Sequence, residues 1–338
     1  MADDQYPQYI QALLKPAAYP HPVDSVQLVQ THISFVLLAG DFVYKFKKPV
    51  DFGFLDFSTL EKRKYCCEQE LLLNRRLCPE IYLGLVQVNE EDGRPVLDGA
   101  GTVIEYGVKM ERMPEERMMV RVIDRGELTS SHIEALVEVL VPFYEQAERS
   151  KEIDGFGTAE AVSVNVLENF EQTAGFIGNG ALSQEQFDEI ASYARSVLAR
   201  EDLFLARIDL GRIRDCHGDL YSANICLADK VYIYDCIEFN QRFRYCDVAS
   251  DVAFLAMDLD FHGLEELSAL FIDRFCEKSG DATLRELLNF YTCYRAYVRG
   301  KIGLFTAADP AVDPEVKEKS LATAARYFTL AHSYARKG

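Results

Sequence analysis

The residues best suited to chemistry lie between Arg214 and Asp251, in the stretch RDCHGDLYSANICLADKVYIYDCIEFNQRFRYCDVASD. Two apolar runs, Ile225-Cys226-Leu227 and Val231-Tyr232-Ile233-Tyr234, flank Asp229-Lys230. β-Branched and aromatic runs around a short polar turn predict a β-hairpin. With a two-residue turn, Ala228 pairs with Val231, Cys226 with Ile233 and Asn224 with Asp235. Opposed Cβ atoms then stand roughly 5 Å apart. An amide oxygen and a carboxylate meeting at the open end form a hard oxygen pair. Such a pair suits Mg²⁺, which takes one or two protein oxygens beside waters and phosphate. Asp219 stands five residues before Asn224, behind His217 and Gly218. A carboxylate there could orient an attacking hydroxyl, so the chemistry indicated is phosphoryl transfer. The alternative makes Asp219 and Asn224 turn residues and Asp235 a strand end.

Upstream elements bear on that choice. In a kinase catalytic loop an Asp orients the hydroxyl and an Asn five residues on binds the metal, while a strand lysine holds the phosphates. Val26–Val29, Phe35–Leu38 and Phe42–Phe46 read as an antiparallel meander. Val43, Lys45 and Lys47 alternate onto one face of its third strand, and Tyr44 and Phe46 onto the other. Lys45 can therefore hold nucleotide phosphates as a point charge. Residues 58–77 predict a helix, with Ser58 and Glu61 as a capping box and Leu77-Cys78-Pro79 as the stop. Glu68 neighbours Lys64 and reads as solvated. Glu70 neighbours Cys66, Cys67, Leu73 and Asn74, where a carboxylate needs a cationic partner. Glu70 is thus the expected partner of Lys45.

Ile81–Val88 and Thr102–Met113 complete a five-stranded antiparallel sheet with one inserted helix, joined by a polar turn at Asp92-Gly93-Arg94-Pro95. A linker is expected over 111–117. Helices follow over 130–148, 164–176, 183–199, 247–257, 264–278, 283–305 and 313–336, with a glycine-containing loop over 150–160. Ser183 with Gln186 forms a second capping box, and residues 3–15 read as a short N-terminal helix. The fold class is α+β: an N-terminal lobe over 1–113 and a helical lobe over 114–338.

The chain has 338 residues, 49% of them hydrophobic and 27% charged, an ordinary globular composition. A net charge of −18 would repel nucleic acid and attract a cationic substrate, although surplus acidity commonly serves solubility. No apolar run nears 18 residues, and MADDQYPQYI has neither the basic nor the apolar region of a signal peptide. Nine cysteines without a C-x-x-C pair argue against a zinc site or a disulfide framework and suit a reducing cytoplasm.

These residues resemble the aminoglycoside phosphotransferase and choline kinase-like superfamily, which has the two-lobed protein kinase-like fold. The resemblance covers nearly the whole chain. It rests on His217-Gly218-Asp219, Asn224 and Asp235, supported by Val43-Tyr44-Lys45, Glu70 and Asp247-Val248-Ala249. It is nearest to an uncharacterised bacterial branch marked by KKPVDFGFLDFS, IEFNxRFRYxDVASDVAFLxMDL and YRAYVRGK, many of whose members resemble fusions with a P-loop ATPase. No GxxxxGK[ST] stands here, so a stand-alone kinase-like domain or a shortened piece of a longer protein is expected.

The resemblance implies an ATP- and Mg²⁺-dependent transfer to a hydroxyl of a small-molecule acceptor. Asp219 would be the catalytic base or hydroxyl-orienting residue. Asn224 and Asp235 would bind Mg²⁺, with Glu238 as a helper. Lys45, paired with Glu70, would hold the α- and β-phosphates, and Thr31 to Ser34 would cover them without any GxGxxG. The Glu111 carbonyl and the Met113 amide would bind adenine, with Met110 at the back of its pocket. His217 would brace the loop. Arg295, Arg299 and Lys301, on one long helix, would serve either as substrate contacts or in salt bridges to Asp and Glu of the acidic helical lobe. A protein kinase is the first alternative, against which only eleven residues separate Asp235 from Asp247 and no A-P-E follows. A non-catalytic nucleotide-binding regulator is the second.

Overall fold

A curled antiparallel sheet with helices on both faces forms the first of two units in the computed structural model, which describes residues 6–310 and 312–338. This unit comprises the chain as far as Met118 together with Cys226–Gln241, and the second unit comprises Met119–Ile225 and Arg242–Gly338. After helix α1 (Gln8–Leu13) come strands β1 (Val26–Gln30), β2 (Ser34–Ala39) and β3 (Phe42–Lys47). Helix α2 (Leu60–Asn74) and strands β4 (Tyr82–Glu91), β5 (Arg94–Leu97) and β6 (Thr102–Glu111) follow. The strand order is β1-β2-β3-β6-β4-β5. Of the expected N-terminal helix, residues 3–5 lie outside the described residues.

Alternation along β3 decides what each face does. Tyr44 and Phe46 point into a core with Tyr9, Ile10 and Leu13 of α1 and Leu37, Val86 and Val88 of the sheet. On the other face Cys67 and Leu71 of α2 pack with Ile81, Tyr82, Val108 and Met110. Lys45 and Lys47 share this second face, which sets both ammonium groups among the residues of α2.

The sheet has six strands rather than the five expected. Asp92 and Gly93 both take positive φ, 49° and 74°, the backbone of a tight two-residue hairpin turn. That turn sends Arg94–Leu97 back along β4, with Val96 opposite Asn89 and Pro95 opposite Glu90. Proline lacks an N–H, and β5 is the edge strand, where that donor is dispensable. The cap of α2 is also displaced by one residue: Thr59 accepts Lys62 N, while Ser58 is turned to Asp56.

The second unit is helical: α3 (Met119–Asp124), α4 (Ser130–Gln146), α5 (Lys151–Gly155), α6 (Ala159–Thr173), α7 (Gln184–Leu198) and α8 (Glu201–Asp209) precede strand β7 (Ile213–Asp215). The chain then forms the hairpin β8 (Ile225–Leu227) and β9 (Val231–Ile233), which from Cys226 onward belongs to the first unit, and returns to the second through helix α9 (Gln241–Arg244) and strand β10 (Tyr245–Asp247). Helices α10 (Val248–Phe261), α11 (Glu265–Ser279), α12 (Leu284–Ala308) and α13 (Pro314–Lys337) complete it. The 150–160 segment expected as a loop contains α5 and the start of α6, and α3 and α8 were not anticipated. Ser183 and Gln186 form the expected capping box, and Asp247 caps α10 through Ala249 N. Among the described residues no helix is long and apolar enough to cross a membrane.

Candidate functional site

Lys45 is the centre of the charged cluster in the first unit. Its Nζ lies 2.8 Å from Glu70 Oε1 and 2.5 Å from Asp235 Oδ1. Glu70 Oε2 meets Lys47 Nζ at 2.8 Å, and Lys47 also binds Glu238. Two lysines and three carboxylates leave one negative charge in excess. The Glu70 and Lys47 side chains are each 1% exposed, whereas that of Asp235 is 42% exposed. The surplus charge can therefore be met by a cation from outside only at Asp235. Burial raises the Glu70 carboxyl, but Lys45 and Lys47 outweigh it and hold the group below its ordinary range. Glu238 goes the other way, because burial, reinforced by Glu70, exceeds what Lys47 returns. Glu68 is exposed beside Lys64 at 3.8 Å and takes no part.

The backbone at Asp235 is pinned on both sides. Its φ is 62°, in the left-handed region that non-glycine residues seldom occupy. Asp235 N donates to Tyr82 Oη at 3.2 Å, and Cys236 N donates to Asn74 Oδ1 at 2.9 Å. Asn74 in turn donates to Glu70 O, one turn earlier on α2. Strain held by two such bonds is a common mark of a working residue. Lys47, Asn74 and Tyr82 were not singled out from the sequence. Period-two alternation with Lys45 could have flagged Lys47, and the one-turn spacing from Glu70 could have flagged Asn74.

The hairpin after Asn224 has a three-residue loop, Ala228 to Lys230, with Ala228 N donating to Lys230 O at 3.1 Å. The two-residue turn expected there is corrected by one position. Asn224 itself closes a 3₁₀ turn, Ser222–Asn224, and stands outside the ladder, so the pairing of Asn224 with Asp235 does not follow from hairpin register.

In the second unit the loop from Cys216 to Asn224 is held by two helices. Asp251 of α10, fully buried, accepts His217 N at 2.7 Å, Gly218 N at 2.9 Å and the Tyr144 hydroxyl at 3.0 Å. Asp258, two turns on, accepts Ser222 N at 2.9 Å, and Phe254 between them stacks on Tyr221. From α12, Arg295 donates to Gly218 O at 3.0 Å and to Ser250 O at 3.2 Å. Gly218 has φ 88°, a conformation that favours glycine. Asp219 N donates to His217 Nδ1 at 3.3 Å, which makes buried His217 a brace within the loop. Asn224 Nδ2 donates to both Asp219 O and Asp219 Oδ2 at 3.0 Å. The amide nitrogen thus faces Asp219, and Oδ1 is the atom a hard cation would take. Asp251 was missed in the sequence, although it lies one helical turn from Asp247.

The remaining expected residues fall as follows. Thr31 and Ser34 close the β1–β2 turn, Thr31 Oγ1 accepting Ser34 N at 2.9 Å, with Thr31 exposed and Ser34 buried. Met110 is buried opposite Val43 and Tyr82. Glu111 pairs with Phe42 and donates its amide to Ile81 O, and Met113 packs partly buried beside Ile81 and Met110. Arg295 both donates to Gly218 O and pairs with Asp251 at 3.9 Å, the salt-bridge alternative, and Lys301 donates to Gln172 at 2.9 Å. Among the described residues no group of three or more His, Cys, Asp or Glu is placed to hold a metal. The carboxylate of Asp235 and the amide oxygen of Asn224 are each the hard oxygen type that Mg²⁺ takes, its other positions going to water and phosphate.

No family model matches the chain. Uncharacterised proteins of Mycobacterium tuberculosis and Mycobacterium bovis are 35% identical over 292 residues, which is 83% of this chain. The chain spans about half the length of these curated relatives, the match covering 56% of each. Among solved structures, a choline/ethanolamine kinase family protein from Mesorhizobium loti is similar with TM-score 0.53 at 13% identity, over 98% of each chain. Amicoumacin kinase, solved with AMP-PNP, Ca²⁺ and amicoumacin, is similar with TM-score 0.52 at 12% identity, over 96% of this chain and 93% of that one. At these identities the likeness is one of fold, and the fold is protein kinase-like.

Proposed function

We propose that this chain, with its protein kinase-like fold, is an ATP- and Mg²⁺-dependent phosphotransferase acting on a hydroxyl of a small molecule. The observation that carries the reading is Lys45 seated between Glu70 at 2.8 Å and Asp235 at 2.5 Å. Kinase chemistry requires that lysine–glutamate pair together with a metal-binding aspartate. In this reading Lys45 holds the nucleotide phosphates, and Glu70 fixes the lysine in place. Asp235 and Asn224 would hold the metal, which supplies charge neutralisation on the phosphates when bound. Glu111, Met110 and Met113 serve the adenine, and Thr31 and Ser34 lie toward the phosphates. Asp219 accepts a hydrogen bond from the acceptor hydroxyl and takes its proton. The acceptor oxygen forms a bond to the γ-phosphorus as the bond to the β-bridging oxygen breaks, and ADP leaves with the electron pair. The protein contributes positioning and charge, which is most of what this reaction needs. The greater length of the mycobacterial relatives favours a further module, and a P-loop ATPase, fused or separate, is the partner we propose.

The test is a thermal-shift comparison with and without Mg-ATP, followed by a hydroxyl-compound library screened for phosphoryl transfer. Stabilisation by Mg-ATP together with transfer to a library member is expected. Mg-ATP binding with no turnover in any arm would favour the regulatory module instead.

A further inference from the structure

The most buried arginines of this protein end on carboxylates. Arg63 binds Glu105, Arg207 binds Asp247 and Asp281, Arg244 binds Asp215, and Arg295 lies 3.9 Å from Asp251. Arg299 differs. Its guanidinium lies 4.7 Å over the ring of Tyr221 and 5.8 Å from that of Tyr327. Its Nε is buried without a hydrogen-bond partner, and among the described residues no carboxylate forms an ion pair with it. A half-buried guanidinium set against two aromatic rings, its Nε out of water without a partner, is incompletely satisfied.

Its position says what would satisfy it. Arg295 and Arg299 are one turn apart on α12 and so share a face. Arg295 reaches Gly218 O, and Arg299 covers Tyr221, so that face meets the loop on both sides of Asp219. Burial works against the charge of Arg299, while Tyr221, Tyr327 and Asp219 favour it. A charged, planar fork with an unused N–H matches a carboxylate or phosphate in geometry as well as sign.

We infer that Arg299 binds an anionic group, a carboxylate or a phosphate, on the acceptor whose hydroxyl Asp219 orients. This rests on the phosphotransferase reading of the site. The net charge of −18 does not oppose it, because at physiological salt exposed charges are screened beyond about 8 Å, whereas Arg299 would touch its ligand. The acceptor class is therefore hydroxy acids or phosphorylated alcohols rather than amines.

The experiment compares the wild type, Arg299→Met and Arg299→Lys by thermal shift, using glycerol, D-glycerate and sn-glycerol 3-phosphate at equal ionic strength, and separately Mg-ATP. In the wild type an anionic probe should raise the melting temperature by about 2 °C more than glycerol, the shift expected near ten times Kd for a chain of this size. Arg299→Met should lose that increment, and Arg299→Lys should keep part of it, having the charge without the fork. Equal responses to glycerol and both anions in the wild type, or an anion increment unchanged in Arg299→Met, overturn the inference. Loss of the Mg-ATP shift in Arg299→Met with the anion increment retained would assign the arginine to nucleotide phosphate and overturn it as well. A wild type that ignores Mg-ATP would sink the phosphotransferase reading itself, and with it the acceptor assignment. Should Arg299→Met fail to fold, the wild type and Arg299→Lys still decide.

Discussion

Replacing Glu70 with Gln keeps its shape and removes the charge that two lysines share. Both Glu70 oxygens lie 2.8 Å from an ammonium, one from Lys45 and one from Lys47. The Glu70 and Lys47 side chains are each 1% exposed, so solvent cannot compensate. Removing one partner of such a buried pair costs about 3–5 kcal/mol. An unfolding entropy near 2.1 cal/mol/K per residue gives about 0.7 kcal/mol/K for this chain, so the melting temperature should fall by about 4–7 °C. The pH dependence has a definite sign. The folded-state pKa of Glu70 is depressed, so its contribution is present above the ordinary value of 4.5 and fades as pH falls below it. Calorimetry and urea midpoints at pH 7 and in steps below pH 4.5 make the check. The gap between wild type and Glu70→Gln should be full at pH 7 and shrink on acidification. Glu238→Gln should cost less, because burial already raises that carboxyl. A Glu70→Gln protein melting within about 1 °C of wild type at pH 7, or a gap that widens in acid, would refute the reasoning.

Asp235→Ala should abolish the Mg²⁺-dependent part of nucleotide stabilisation without unfolding the protein, its side chain being 42% exposed; a thermal shift with Mg-ATP equal to wild type would contradict this. Asp219→Ala should lower turnover at least about a hundredfold with ATP affinity little changed, read as ATP hydrolysis at saturating Mg-ATP while the acceptor is unidentified. Gly218→Ala places a Cβ on a residue with φ 88° and should cost about 1–2 kcal/mol, measured by urea unfolding. Burial lowers the Lys301 ammonium to about 8. The unfolded chain then binds more protons than the folded one between pH 8 and the ordinary lysine value of 10.5, so stability gains a rising contribution across pH 8–9.5. Lys301→Met should flatten that rise, and ¹³C-methyl NMR of reductively methylated lysines should lose one resonance titrating near pH 8.

What was legible in the sequence followed from short periods. Alternation placed Val43, Lys45 and Lys47 on one face, and helical spacing separated Glu70 from Glu68; both are backbone rules that need no tertiary partner. The Asp92-Gly93 turn was equally legible, but Arg94 and Pro95 were read as part of that turn, whereas they begin an edge strand, where proline is tolerated. The Ser58 cap failed for a different reason. Ser58, Thr59 and Asp56 are all residues that compete for local backbone and side-chain bonds, and the competition was settled by Lys62 drawing Asp56 and Ser58 together.

The buried partners were not legible, because each is defined by a residue far away in sequence. Asp251 has the composition of an ordinary helix aspartate, yet its oxygens meet amides 33 and 34 residues back and a hydroxyl 107 residues back. Lys47 was placed on the face of Lys45, but its partner Glu238 lies 191 residues on and could not be read from that alternation. Such groups cost free energy to bury and repay it only if every partner arrives, so their presence here carries information that composition does not. In the Lys45–Lys47 cluster of the first unit, Asp235 is the exposed carboxylate, Glu70 and Glu238 being buried. In the second, Arg299 stands against the rings of Tyr221 and Tyr327 with its Nε buried and without a hydrogen-bond partner. The groups with full sets of partners hold backbone in place, whereas the exposed Asp235 carboxylate and the Arg299 guanidinium, its Nε without a partner, are where ligands of opposite sign have most to offer.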